Sequence, residues 1–271
     1  MLDIMNQAKN AIEAYDLALK ASSSNIANMS VPGYKKLDVS FQSIFERILS
    51  QGTATDGDMG GSNPREIGQG MTLGSSYIDF SQGEYATGTS MDLSISGQGL
   101  FIVSADGGNN YLYTRAGNFQ IDSSGHLTSN GMQVYGLNSA GAVTPIASLP
   151  SGNRSDYKWL SDGTLQYSAD GGTTYVSTGY RIALTYFSNP NGLAQAQGTS
   201  FSVTAASGAA ATAQAPGGAV GSLRTGQIEQ SNVVYLSETI DALELQRAMS
   251  SNLTVLRMAS DMISAFINKL S

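Results

Sequence analysis

The sequence predicts an α+β fold, and two observations lead to it. Near both ends of the 271-residue chain, apolar residues recur at alternating steps of three and four, the spacing of a coiled coil. The middle of the chain carries short β-runs separated by Gly- and Asp-rich turns. We therefore expect a discontinuous coiled-coil domain from both termini (1–40 plus 228–271), an extended linker region (41–89 plus 217–227) and one central antiparallel β-domain (90–216).

The first helix is predicted from Leu2 to Met29, because no Pro or Gly interrupts the chain before Pro32. Pro32 presets the first corner of a turn, and Gly33 accepts the positive φ that a type II turn requires next. The apolar stripe of this helix is Met5, Ala8, Ile12, Tyr15, Leu19, Ser22, Ile26 and Met29. From it we assign Met5, Ile12, Tyr15, Leu19 and Ile26 to an assembly interface.

The second helix is predicted from Ser237 to Leu270, with Ser237 as its capping residue. Its stripe is Ala242, Leu245, Met249, Asn252, Leu256, Ala259, Ile263, Phe266 and Leu270. Two core helices of a globular domain would show the same spacing. We favour a terminal pair that completes its burial against other subunits, because everything between the helices reads as strand and loop. The predicted interface residues are Leu245, Met249, Leu256, Ile263, Phe266 and Leu270.

The predicted β-domain consists of short apolar runs joined by turns. The runs are 100–103, 111–115, 119–121, 133–135, 164–167, 174–176 and 181–187. The sequence Ser-Ala-Asp-Gly-Gly occurs twice, at 104–108 and 168–172, which indicates reuse of one hairpin turn. A Gly-, Ala- and Ser-rich stretch at 205–221 is typical of an extended connector.

The composition argues against catalysis and against nucleic-acid binding. Only 13% of the residues are charged, the net charge is -7, and Lys35-Lys36 is the one adjacent basic pair. There is no Cys and a single His, His126, which we assign to an exposed turn. Gly97-Gln-Gly99 does not complete a phosphate-binding motif and is interpreted as a pair of turn glycines. We therefore predict no enzyme activity, cofactor, metal or membrane insertion.

Four motifs follow one another along the chain. They are Ser24-Asn-Ile-Ala-Asn-Met-Ser-Val-Pro-Gly-Tyr-Lys35, Asp92-Leu-Ser-Ile-Ser-Gly-Gln-Gly-Leu-Phe-Ile-Val103, Tyr113-Thr-Arg-Ala-Gly-Asn-Phe119 with Asp122-Ser-Ser-Gly-His-Leu127, and Gly226-Gln-Ile-Glu-Gln-Ser-Asn-Val233 with Leu245-Gln-Arg-Ala248. Together they resemble the rod, hook and hook–filament-junction family of bacterial flagellar axial proteins. Ser24, Val31-Pro32 and Met249 depart from the family pattern.

The resemblance marks thirteen motif and turn residues. They are Asn25, Asn28, Pro32, Gly33, Tyr34, Asp92, Gly97, Gly99, Tyr113, Arg115, Gly117, Ser231 and Asn232. It also implies a homo-oligomeric helical polymer whose termini pack into an inner tube, with neighbouring rod and hook proteins, ring or bushing proteins of the envelope and the flagellar export apparatus as partners. The implied location is the basal body in the periplasmic space, after export without a cleaved signal peptide, since the N-terminus lacks a signal-peptide pattern.

The long segment between Phe41 and Ile67 favours one member of that family, the distal rod. In the family, an insertion here stiffens the tube by bridging neighbours, and Ile44, Phe45, Ile48 and Leu49 would anchor it. A hook or proximal-rod subunit remains an alternative. A secreted β-rich adhesin or surface-layer protein is a more remote one, because it would need a cleavable signal.

Overall fold

The fold is α+β in a computed structural model that describes residues 2–44, 47–50, 65–67 and 70–270, with the backbone alone for Leu2, 47–50, 65–67 and Leu270. This confirms the predicted fold class. The chain forms two compact units, one of residues 1–26, 37–76 and 235–271, and one of residues 27–36 and 77–234. The three-part division drawn from the sequence stays a prediction.

The first unit contains both helices, α1 (Leu2–Ala27) and α2 (Tyr235–Leu270). Helix α1 ends two residues before the predicted Met29, because a turn begins at Asn28 and the Val31 N–H donates to the Asn28 carbonyl at 3.0 Å. The predicted start of α2 at Ser237 is wrong by two residues. The Ser231 hydroxyl accepts the Val233 N–H at 3.2 Å and so stabilises the turn before the helix. The helix then begins at Tyr235.

The buried face of α1 is displaced from the predicted stripe, and α2 buries its stripe only in part. Helix α1 fully buries small side chains, namely Ala8, Ala11, Ala14, Ala18 and Ala21. The five α1 residues that we assigned to the interface are half-buried and flank this alanine row. The least exposed face of α2 is the predicted heptad face, from Ala242 to Ile263, whereas Phe266 is 62% exposed. Supercoiling of the two helices stays a prediction.

The segment after α1 contains strands that the sequence analysis did not predict. Strands β1 (Leu37–Ser43) and β4 (Met71–Ile78) form one pair, and β2 (Arg47–Ser50) and β3 (Arg65–Ile67) form an antiparallel second pair. The signal was weak because Ser, Gln and Gly interrupt the alternation that marks a strand.

The second unit is an antiparallel β-domain, as predicted. Its strands are β5 (Tyr85–Thr87), β6 (Leu93–Ser96), β7 (Leu100–Ser104), β8 (Leu112–Thr114), β9 (Gln120–Ile121), β10 (Leu127–Ser129), β11 (Met132–Leu137), β12 (Val143–Pro145), β13 (Tyr157–Trp159), β14 (Thr164–Tyr167), β15 (Val176–Ile182), β16 (Leu184–Thr185), β17 (Ala194–Gln195), β18 (Ser200–Ser202), β19 (Ser222–Thr225) and β20 (Gln227–Glu229). The main sheet has the order β13-β14-β15-β11-β7-β8-β18-β17, and β6–β19 and β5–β20 form separate pairs. Phe101, Phe119 and Trp159 lie in its core, and the Trp159 indole donates to the Met91 carbonyl at 2.8 Å.

Strand β15 differs from the sequence prediction, whereas the connector at 205–221 agrees with it. The predicted runs 174–176 and 181–187 are wrong as separate strands, because β15 runs through the polar residues between them. A register shift opposite Thr164 and Gln166 allows it to continue. The stretch 205–221 forms no strand beyond an isolated bridge between Gln214 and Leu184, which confirms the predicted connector.

The repeated Ser-Ala-Asp-Gly-Gly sequence builds the same loop twice, between β7 and β8 and between β14 and β15. Ser104 and Ser168 each donate to the Asp two positions later, at 2.7 and 2.5 Å. Hydrogen bonds, chiefly from the Asn110 N–H, lower the pKa of Asp106 to about 2. The pKa of Asp170 is lowered as well, chiefly by the Ser168 hydroxyl. Reuse of one hairpin turn is confirmed.

Candidate assembly interface and the junction of the motifs

Gly33, in the first motif, meets the third motif at a close chain crossing in the second unit. Its φ is +71°, and the Tyr34 N–H donates to the Val31 carbonyl at 3.2 Å, which confirms the predicted turn after Pro32. A Cβ placed on Gly33 would lie 2.3 Å from the Ala116 nitrogen. The Gly33 N–H donates to the Glu229 carbonyl at 2.9 Å, so the fourth motif is part of the same crossing.

A buried ionic triad joins these three motifs. The Lys35 ammonium lies 2.6 Å from one Glu229 carboxylate oxygen, and an Arg115 guanidinium nitrogen lies 3.2 Å from the other. The side chains of Lys35 and Glu229 are 0% exposed and that of Arg115 is 5% exposed. Burial lowers the pKa of both Lys35 and Arg115, and the Glu229 carboxylate opposes that shift in each.

Backbone carbonyls complete the shell of the two cations. Lys35 donates to the Ser81 carbonyl at 2.6 Å, and Arg115 donates to the Gly97 carbonyl at 2.7 Å. Gly97 and Gly99 have φ of +99° and +136° and lie between β6 and β7, which confirms them as turn glycines. Sequence analysis assigned no structural role to Lys35 or Glu229. The available signal was the Lys35-Lys36 pair at the end of the first motif and a single acidic residue in the fourth, within a charge-poor chain.

The second motif is held by Asp92 and by contact with Gly117. Asp92 accepts the Thr89 N–H at 2.6 Å and lies 2.9 Å from the Arg154 guanidinium. The Leu93 N–H donates to the Gly117 carbonyl at 3.0 Å, and a Cβ on Gly117 would lie 1.7 Å from the Leu93 oxygen. Tyr113 is buried in a T-shaped contact with Phe187, at 4.9 Å between ring centroids. These contacts hold neighbouring segments of the β-domain together.

Asn232 connects the chain after the first motif with the chain before α2. Its side-chain oxygen, Oδ1, accepts the Lys36 N–H at 2.8 Å. Its side-chain nitrogen, Nδ2, donates to the Asp79 backbone carbonyl at 2.8 Å and to the Ser81 hydroxyl at 2.9 Å. Together with the hydrogen bond from the Val233 N–H to the Ser231 hydroxyl, these bonds give the predicted residues of the fourth motif a positional role.

Asn25 plays the corresponding part in the first unit. It exchanges two hydrogen bonds with the backbone of Leu37, each 2.9 Å long, and donates to the Glu238 carboxylate at 3.2 Å. It is 1% exposed. Asn25 therefore links the end of α1, the start of β1 and the first turn of α2.

Helix α2 exposes a second apolar face, opposite its heptad face. Ile240, Leu243, Met258 and Met262 are 47–53% exposed. At the end of the helix, Phe266 of the heptad stripe and the adjacent Ile267 are also exposed, by 62% and 58%. Large exposed apolar surfaces of this kind mark contacts with other molecules. Leu270 lies at the end of α2 without a described side chain.

The predicted anchors of the insertion fall only partly within the described residues. Ile44 is half-buried, and its N–H donates to the Gly70 carbonyl at 2.9 Å. Phe45 lies outside the described residues, and Ile48 and Leu49 are described by their backbone in β2 alone. Their anchoring role stays a prediction.

The described ranges contain no metal-binding cluster. Among these residues, no group of three or more His, Asp or Glu side chains could hold a metal ion. His126 lies in the turn after β9, 3.3 Å from Asp122. None of the described helices is both long and apolar enough to cross a membrane.

Comparison with known proteins places this geometry in a class. Residues 5–35 match a family described as "Flagella basal body rod protein", and residues 94–185 match "Flagellar hook protein FlgE/F/G D1 domain". The first match covers most of α1 and the Gly33 turn, and the second covers β6 through β16. The class is thus that of the rod and hook proteins of the bacterial flagellum.

Full-length relatives identify the family. The flagellar basal-body rod protein FlgG of Caulobacter vibrioides is 30% identical over 97% of this chain and 98% of its own length. FlgG of Bacillus subtilis is 29% identical over 99% of both chains. The hook protein FlgE of Borreliella burgdorferi is 33% identical, but over 50% of this chain and 31% of its own length. The chain belongs to the family of flagellar basal-body rod proteins.

Proposed function

We propose that the chain is a structural subunit of the bacterial flagellar distal rod. It assembles into a rigid helical tube that transmits torque from the motor to the hook. The proposed partners are further copies of the chain, the neighbouring rod and hook proteins, ring or bushing proteins and the export apparatus. The proposed location is the basal body in the periplasmic space, reached without a cleaved signal peptide, and the protein acts without catalysis.

The second apolar face of α2 is the observation that supports this proposal most directly. A single copy leaves the Leu243, Met258 and Met262 side chains about half exposed, on the side of α2 that faces away from its heptad stripe. At roughly 25 cal/mol per Å² of apolar surface, covering such a face favours association strongly. A structural subunit repeated along a tube would cover it at every copy.

Replacing Leu256 with Asp is expected to abolish assembly. Leu256 lies half-buried on the heptad face, and a carboxylate there would have to be desolvated at each repeated contact, at a cost of several kcal/mol. Sedimentation and electron microscopy of the purified chain should show no tubes, and cells carrying the variant should not swim. Leu256→Met, which keeps the volume and the apolar character, is the control and should assemble. Normal swimming with Leu256→Asp would contradict the proposal.

The rod is distinguished from the alternative of a hook by stiffness. The segment Gln51–Asn63 lies outside the described residues, and its bridging of neighbours is a proposal from the resemblance. We expect straight tubes from the intact chain and curved or more flexible tubes when this segment is deleted. Replacing it with a Gly/Ser sequence of equal length separates lost contacts from altered chain length. Curved tubes from the intact chain would favour a hook.

A further inference from the structure

We infer that Arg257 of one copy docks into a groove on the first unit of a second copy, and that this contact sets the stagger between copies. The inference rests on the proposed function, because it presupposes a polymer of this chain. The groove lies within the first unit and is lined by Tyr15 of α1, Phe41 of β1, and Asp241, Glu244, Leu245 and Ala248 of α2. Its volume is about 320 Å³.

The groove has the chemistry that a guanidinium group recognises. Tyr15 and Phe41 form a T-shaped pair with ring centroids 5.8 Å apart, and Phe41 is 42% exposed. Asp241 and Glu244, which also line the groove, are exposed. In the part of the chain that the structure describes, neither carboxylate has an ion-pair partner. Arg combines stacking on aromatic faces with bidentate binding of carboxylates, which Lys does not match.

The same helix carries a complementary cation on its other flank. Arg257 is exposed and, among the described residues, has no ion-pair partner. In an α-helix of 3.6 residues per turn, Arg257 projects roughly 160° away from Asp241 and roughly 140° away from Glu244. One copy therefore offers the groove on one side of α2 and the guanidinium on the opposite side.

This arrangement favours an open polymer over a closed dimer. A donor and an acceptor on opposite flanks make a head-to-tail contact, and such contacts generate helical filaments when the rotation does not close a ring. Arg257 follows the two carboxylates by 13 and 16 positions, which corresponds to about 20–24 Å along the helix axis. Parallel α2 helices joined in this way would be staggered by that distance.

A charge exchange tests the contact on the full chain. Arg257→Glu, and separately Asp241→Lys with Glu244→Lys, should each raise the concentration needed for tube formation by at least about tenfold, because like charges then face each other. The chain carrying all three changes should recover most of the loss. Circular dichroism should show unchanged helicity in each variant, since all three side chains are exposed.

Neutralising one Arg of α2 at a time shows whether the position of the positive charge on the helix matters. Arg257→Gln should weaken assembly, whereas Arg247→Gln should not, because Arg247 is exposed on the same helix but lies between the two flanks. The inference is overturned if the triple variant assembles no better than the worse reversal, or if the two neutral variants behave alike. Wild-type chain that forms no tubes at all would instead contradict the proposed function.

Discussion

Glu229→Gln is expected to destabilise the β-domain by about 3–5 kcal/mol, the usual cost of removing one partner from a buried ion pair. The change removes the carboxylate that Lys35 and Arg115 share and leaves two buried cations near each other. The hydrogen-bond acceptors that remain to them are backbone carbonyls, which carry no full charge. Urea unfolding followed by Trp159 fluorescence, a probe in the core of the same unit, would measure the loss.

Glu84→Gln is the matched control, because Glu84 is an exposed carboxylate in the neighbouring segment. It should change the unfolding free energy by less than about 0.5 kcal/mol. An equal loss in both variants would show that the triad does not hold the domain together.

The loss of unfolding free energy caused by Glu229→Gln should become smaller as the pH rises. Burial already lowers the pKa of Lys35, and loss of the carboxylate lowers it further. The unfolded chain then binds more protons than the folded chain at any pH between the folded pKa and the ordinary value near 10.5, so stability rises with pH in that window. Comparing the two chains at about pH 7 and about pH 9.5 would show it. A loss of unfolding free energy that is the same at both pH values would mean that the buried charge of Lys35 does not cause it.

Local patterns sufficed for part of the fold. The heptad spacing predicted both helices, because an amphipathic helix depends on residues only three or four positions apart. The turn at Gly33 was predictable for the same reason. The strands β1 and β4 were missed because polar residues break their alternation, and their pairing joins segments about 30 residues apart.

The junction of the motifs could not be derived from spacing. Lys35, Arg115 and Glu229 come from three separate parts of the chain, and only the folded β-domain brings both cations within 3.2 Å of the Glu229 carboxylate. The resemblance marked Arg115 but gave no reason for its charge. That reason is the buried Glu229 carboxylate, which no local pattern could connect with it.

Gly33→Ala is expected to disrupt the same junction through the backbone rather than through charge. Two effects add there. A left-handed φ of +71° costs a residue with a Cβ about 1–2 kcal/mol. The new Cβ would also lie 2.3 Å from the Ala116 nitrogen, and backbone atoms cannot rotate away as a side chain would. The chain crossing would have to open, which threatens the Gly33–Glu229 hydrogen bond.

Gly107→Ala is the control that carries the first of these effects without the second. Gly107 has nearly the same φ, +74°, but a Cβ there would meet nothing within 4 Å. The conformational cost is therefore common to both variants, and the difference between them measures the close approach of Gly33 to Ala116. We expect Gly33→Ala to be less stable than Gly107→Ala by about 1–3 kcal/mol in urea unfolding, the usual cost of overpacking. Equal stabilities would show that the crossing yields freely and that Gly33 is needed for its φ alone.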